Sequence, residues 1–174
     1  MFKIQSSILL IFFSVNALAQ KSDIAIPMKN GKVYYEKSYD LNKNLKQERL
    51  FNHILSWFKQ DSPNTEKIKI SADKQTGEIA ASGIFKIVTS STGNYYLVRF
   101  AINIKVYDGG YTFIANSFYE KPIESGISNE YSKIEYRWWD YRQGKPWSTE
   151  DETLFKGIAS DETALMASLE SQMK

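Results

Sequence analysis

The chain has 174 residues, 43% of them hydrophobic and 24% charged, with 22 lysines and arginines set against 20 aspartates and glutamates. This near-balance gives no electrostatic case for a nucleic-acid partner or an anionic membrane surface, and the length predicts one domain able to bury a sizeable core. There is no cysteine and a single histidine, which excludes disulfides, a lipid-modified cysteine and a cysteine/histidine zinc site.

At the N-terminus Lys3 precedes an apolar run from Ile8 to Val15, and Ala17-Leu18-Ala19 supplies the small residues a signal peptidase needs. Residues 1–19 are therefore expected to be a secretory signal peptide, cleaved near Ala19-Gln20 to release a periplasmic or secreted protein. The run falls short of the about 20 apolar residues a membrane span requires. No later stretch approaches that length, so no transmembrane anchor is expected. Residues 20–174 are expected to form one α+β domain, with a core over 30–120, a less regular part over 121–159 and a terminal helix over 160–173.

Lys21 to Asn30 carries Pro27 and reads as a lead-in, closed by the turn signal Asn30-Gly31. Val33 to Tyr39 alternates Val33, Tyr35 and Tyr39 against Tyr34, Glu36 and Ser38, which predicts a strand. Asn44 with Gln47 three residues on resembles a capping box. It opens a helix whose Leu50, Phe51, Ile54, Leu55, Trp57 and Phe58 fall within a sector of about 160°. Asp61-Ser62-Pro63-Asn64 ends it.

From Thr65 the period becomes two, with Ile68, Ile70 and Ala72 alternating with Lys67, Lys69 and Ser71. Asp73 to Gly77 leads into a strand over Glu78 to Val88 with Ile79, Ala81, Phe85 and Ile87 on one side. After the turn-rich Ser90 to Asn94, Tyr95 to Tyr107 is the clearest strand of all. Tyr96, Val98, Phe100, Ile102, Ile104 and Val106 oppose Arg99, Asn103 and Lys105. Asp108-Gly109-Gly110 predicts a hairpin into the strand Tyr111 to Tyr119. Lys121 to Asn129 reads as a loop, and Tyr131 to Tyr141 as a strand or irregular segment. Thr149 with Glu152 fits a capping box for a short helical turn through Phe155. Ser160 is an N-cap for the terminal helix, with Asp161 and Glu162 in its first turn and Leu165, Leu169 and Met173 on one face. The order strand, helix, four-strand antiparallel meander, helix predicts an antiparallel sheet covered on one side by helices.

Chemistry-bearing residues are sparse. His53 lies off the apolar stripe of its helix without a glycine-flanked serine nucleophile, so it supports no triad. Glu150, Asp151 and Glu152 are explained by a helix N-terminus better than by a calcium loop. Glu120 with Glu124, or Asp140, are the carboxylates from which a sugar hydrolase would have to be built. Gly109-Gly110 belongs to its hairpin and is no phosphate loop. The segment Tyr136 to Arg142, followed by Lys145, Pro146 and Trp147, holds three of the four tryptophans among cations. It supplies the candidate binding surface: Arg137, Trp138, Trp139, Tyr141, Arg142 and Trp147. The bland alternative packs Tyr136 and Trp138 on the core and turns Arg137 outward.

Ile26-Pro27, Gly31-Lys32-Val33-Tyr34-Tyr35, the helix with Leu50 and Trp57, the charged turn Asp73 to Gly77 leading to Gly83, and the aromatic hairpin from Tyr95 to Tyr119 together resemble a bacterial family of unknown function. Its members are small exported proteins, found mainly in Bacteroidetes, with a TATA-binding-protein-like (TBP-like) fold. The resemblance spans roughly residues 26–120. It implies a fold, with helices on one face of a curved sheet, and a compartment, but no activity and no cofactor. The fold's name carries no DNA binding with it. The expected function is a non-enzymatic domain binding a protein or glycan of the cell envelope. The alternatives are a carrier of an apolar ligand lined by Phe58, Phe100 and Ile102, and an envelope hydrolase using carboxylates.

Overall fold

The computed structural model describes residues 26–60, 69–127, 130–138 and 145–173. The expected leader, the helix-ending Asp61 to Asn64, and Ile68 lie outside them. Nine elements are delimited among the described residues: β1 Met28–Lys29, β2 Lys32–Asp40, α1 Gln47–Gln60, β3 Lys69–Asp73, β4 Glu78–Val88, β5 Tyr95–Tyr107, β6 Gly110–Ile123, β7 Ser132–Lys133 and α2 Thr149–Gln172. The sheet is antiparallel in the order β1-β2-β6-β5-β4-β3, with β7 added to β6. The expected meander is β3 to β6, and β2 closes its far side.

The alternation read from the sequence sets the two faces. Val33, Tyr35 and Tyr39 of β2, Ile79, Ala81, Phe85 and Ile87 of β4, and the even-numbered residues Tyr96 to Val106 of β5 are all buried beneath the helices. Asn103 and Lys105 face out. At the centre Phe100 stacks on Phe118, with ring centroids 5.4 Å apart, and meets Phe85 in a tilted contact at 4.4 Å. Leu50, Phe51, Ile54, Trp57 and Phe58 close the core from α1. The Trp57 indole N–H donates to Ser168 Oγ at 3.0 Å and ties α1 to α2. No helix among the described residues is long and apolar enough to cross a membrane.

Four expectations are corrected. The cap of α1 is not Asn44. Lys46 precedes the helix and has no capping oxygen in its side chain, so the Gln47 N–H donates to Asp108 Oδ1 at 2.8 Å, from the β5–β6 turn. The same turn is held to the β2–α1 link by Leu41 N–H to Gly109 O at 2.7 Å and Gly109 N–H to Leu45 O at 2.8 Å. Secondly, β3 buries neither of its faces: all five residues are exposed. Ile70 and Ala72 pair with buried Ala81 and Ile79 on the helix side, but β3 is the outermost strand of the sheet.

Thirdly, there is one C-terminal helix rather than a short turn and a separate helix from Ser160. Ser148 is its N-cap, in a reciprocal box with Asp151 one residue ahead of the expected Thr149/Glu152 pair. Ser160, Asp161 and Glu162 are consequently interior to α2, and Glu162 is fully buried. Fourthly, β6 runs past Tyr119 to Ile123, into the first three residues of the expected loop Lys121 to Asn129, and its phase is reset on the way. Ser117 adopts φ +57°, and the register with β5 jumps from Ala101↔Asn116 to Arg99↔Tyr119. This is a β-bulge. Before it Tyr111, Phe113 and Ala115 point inward; after it Phe118 and Glu120 do.

Candidate binding hollow around Arg137

The bulge at Ser117 turns a carboxylate inward where unbroken alternation would have turned Tyr119. Glu120, opposite Val98 on β5, is only 3% exposed. A charge so placed requires a partner. It comes from the turn after β7, which is fixed by buried Ile134 and closed by Arg137 N–H to Ile134 O at 3.1 Å and Trp138 N–H to Glu135 O at 3.0 Å. Arg137 Nε donates to Glu120 Oε2 at 2.6 Å, Nη1 donates to Asp151 Oδ1, and the guanidinium carbon lies 4.9 Å from the Tyr96 ring centre.

Asp151 is at the same time the box residue of the α2 cap, accepting from Ser148 N–H at 3.1 Å and Ser148 Oγ at 2.7 Å. The triad thus joins β6, the post-β7 turn and the first turn of α2. Burial works against the Arg137 charge, but the Glu120 carboxylate outweighs it and drives the guanidinium still higher in basicity. Burial lifts the Glu120 carboxyl above its ordinary value, and Arg137 offsets this only in part. Burial also pushes Asp151 upward, yet its bonds to Ser148 and Arg137 prevail and hold it below the usual carboxylate range.

A second buried carboxylate secures the neighbouring strand. Glu135 Oε1 accepts from Val33 N–H at 3.0 Å, across 102 residues of sequence. The β2–β6 ladder ends at Tyr34↔Asn116, next to the bulge, so this amide has no strand partner on that side.

Above the triad lies an open hollow of about 340 Å³. Tyr96, Glu120 and Arg137 form its buried floor, Pro122, Tyr131 and half-exposed Ile127 its walls, and Glu130 and Ser132 complete it beside β7. The Tyr131 ring is itself held by cations, with the Arg99 guanidinium carbon 4.5 Å and Lys121 Nζ 5.6 Å from its centre. With both of its carboxylate partners engaged, Arg137 brings no surplus positive charge.

Of the six residues singled out from the sequence, Arg137 is at the floor of this hollow. Trp138 and Trp147 are half-buried and form a three-ring cluster with Phe155, with centroid separations of 5.2, 4.7 and 5.0 Å. Trp139, Tyr141 and Arg142 lie outside the described residues, as does Asp140. The alternative that packed Tyr136 and Trp138 on the core and turned Arg137 outward holds for Trp138, which packs against the core, and is corrected for the other two: Tyr136 is 39% exposed, while the Arg137 side chain is 13% exposed. The reason is that residues 134–138 turn into a helical conformation, which does not alternate as a strand does.

The other candidates are dispersed. His53 is exposed on α1, in a shallow polar depression with Lys46, Glu48, Arg49 and Asn52. Glu124 is exposed and does not meet Glu120. Glu150 accepts from Thr89 Oγ1 and Glu152 from Lys156, so the acidic trio does not converge. Among the described residues no group of three or more histidines, cysteines and carboxylates is placed to hold a metal. Phe58, Phe100 and Ile102 are buried within the core. Sequence reasoning missed Tyr96, Tyr131 and Ser132 as residues that line the hollow. One signal was available: the inward positions 111, 113 and 115 are followed by aromatic Phe118 rather than by Ser117.

Residues 35–121 match the family described as a domain of unknown function (DUF4468) with TBP-like fold. The chain is similar in structure to a TBP-like protein from Parabacteroides distasonis, with a TM-score of 0.68 at 19% identity over 84% of this chain and 96% of that one. It is similar to the same degree, TM-score 0.68, to a DUF4468 family protein from Bacteroides ovatus at 17% identity, over 84% of this chain and 89% of the other. No curated protein matches it. With the antiparallel curved sheet, the two helices on its one face and half of the chain matched, the protein belongs to the DUF4468 family of TBP-like domains.

Proposed function

We propose that this is an exported, non-catalytic binding domain of the cell envelope that engages a neutral glycan in the Arg137 hollow. The observation that carries this reading is the hollow itself. Its volume of about 340 Å³ falls in the range of small-ligand sites. Its floor offers hydrogen-bonding groups whose charges compensate one another, and its wall offers the ring of Tyr131. Such pairing of a ring face with fixed polar groups fits a sugar, which presents C–H faces and hydroxyl edges. Export is supported by the leader-like residues 1–19. A duplex-binding role has no support from this near-neutral chain, whatever the fold's name.

A non-catalytic role is supported by the state of the carboxylates. Glu120 and Asp151 do converge, which is the feature a hydrolase would need, but Arg137 stands between them and bonds to both. A general acid must hold a proton to donate, and Glu120 is occupied as an acceptor. The experiment is binding of the protein to neutral envelope oligosaccharides, followed by calorimetry, with Tyr131→Ala alongside. Saturable binding weakened at least tenfold by Tyr131→Ala supports the reading. Equal binding by both proteins, or hydrolysis of the oligosaccharide that Glu120→Gln abolishes, contradicts it.

A further inference from the structure

The buried face of α2 is made by Leu154, Phe155, Ile158, Leu165 and Leu169, and in the middle of this stripe stands Glu162. Its side chain is 0% exposed, and neither carboxylate oxygen has a hydrogen-bond partner among the described residues. Across the seam is Tyr35 of β2, whose buried hydroxyl also lacks a partner and whose ionisation is opposed by Glu162. Buried polar groups in folded proteins are nearly always paired, and an unpaired buried carboxylate is far more costly than an unpaired carboxylic acid.

We propose that Glu162 is a protonation latch: in its neutral form it seats α2 against the sheet, and loss of its proton loosens that seat.

The surroundings leave the proton as the means of neutralising the group. From β2 Tyr35 interacts with it, a donor that does not carry positive charge. On the helix itself the neighbour is Asp161, a like charge that lifts Glu162 further. Lys37 of β2 is engaged two turns along α2 with Glu170 at 3.4 Å and lies over the Tyr39 ring. Tyr39 and Tyr111 of β6 stack there at 4.7 Å, and their hydroxyls are buried and unpartnered as well. From α1 the group reaching α2 is the Trp57 indole, which does not titrate. From β4 it is Ile87, packed against Gly157. Burial, reinforced by Asp161, pushes the Glu162 carboxyl up to about 8.

The direction of the effect follows. In the folded state the group keeps its proton to a higher pH than in the unfolded chain, where a glutamate releases it near 4.3. Between these two values the folded state binds more protons, so stability falls as pH rises. An exported protein meets external pH directly, so the latch would work in the range where such a protein is exposed to change.

The test compares the protein with Glu162→Gln in denaturant unfolding from pH 5 to pH 9. The other titrating groups are common to both and drop out of the comparison. The unfolding constant of the unmodified protein, divided by that of the variant, is expected to rise roughly tenfold per pH unit up to about pH 7.5 and then level off. A ratio independent of pH overturns the proposal. Hydrogen exchange at matched pH locates the effect: faster exchange along α2 with β5 amides still protected supports a latch, and an even loss across the sheet overturns it. Should Glu162→Gln fail to fold, carboxyl NMR of the unmodified protein decides. Titration of Glu162 near 8 supports the latch, and titration in the ordinary carboxylate range overturns it.

Discussion

Arg137 Nε and Glu120 Oε2 meet at 2.6 Å, with side chains 13% and 4% exposed, and this pair fastens the second half of β6 to the turn that follows β7. Such a pair is worth little against a hydrophobic replacement, yet removing one partner strands the other. Arg137→Ala is accordingly expected to cost about 3–5 kcal/mol, read by urea denaturation. Arg137→Met with Glu120→Leu is expected to recover most of that loss while removing the polar floor of the hollow. Equal destabilisation by the single and double variants would show that the pair is not what holds this corner.

Ser117 bears the strain that turns Glu120 inward. Its φ of +57° is tolerated by serine but opposed by a β-branched side chain. Ser117→Val is expected to destabilise by about 1–2 kcal/mol, whereas Ser117→Gly should stay close to the parent. Thermal melts of the two variants check this. If valine is accepted as readily as glycine, the bulge does not depend on this residue's conformation.

Asp108 caps α1 from another element, so its loss should act on the helix. Its carboxyl is held below the ordinary value by the Gln47 N–H bond and by Lys46. The folded state therefore favours the ionised form, and this contribution is present above the unfolded value near 3.9 and lost as pH falls through the lower folded one. Asp108→Ala is expected to lower Tm at pH 7 and to increase exchange in the first turn of α1. The difference in Tm from the parent should shrink below about pH 4. A Tm difference unchanged from pH 7 to pH 3 would contradict the cap.

Gly157 lets α2 lie on β4. A Cβ there would stand 2.5 Å from Ile87 Cγ2. Gly157→Ala is expected to destabilise by about 1–3 kcal/mol despite alanine's better helix propensity, and Ile87→Ala in that background should relieve part of the cost. Simple additivity in the double variant would mean that the two residues do not interact.

How far these features were legible in the sequence depended on their range. The faces of β2, β4 and β5 follow from alternation at period two, and the buried face of α1 from its stripe, because each is written within a dozen neighbouring residues. The Asp108 cap is separated from Gln47 by 61 residues, and no local pattern records it. The continuity of α2 was obscured by Ser160-Asp161-Glu162, which has the composition of a helix start. What overrides that local signal is Ser148 with Asp151 further upstream and the packing of Ile158, Leu165 and Leu169 on the sheet. The aromatic segment 136–147 was found by composition, but its geometry was not. A helical turn rather than a strand sends Arg137 inward, and its carboxylate partner faces inward only because the bulge changes the parity of β6.

The most direct test of the central claim is a titration of isotopically labelled protein with neutral envelope oligosaccharides, followed by amide chemical shifts. The account predicts saturable shifts confined to Ile127, Glu130, Tyr131, Ser132 and Arg137, lost in Tyr131→Ala. Shifts confined instead to the exposed outer face of the sheet, or none at millimolar oligosaccharide, would contradict it.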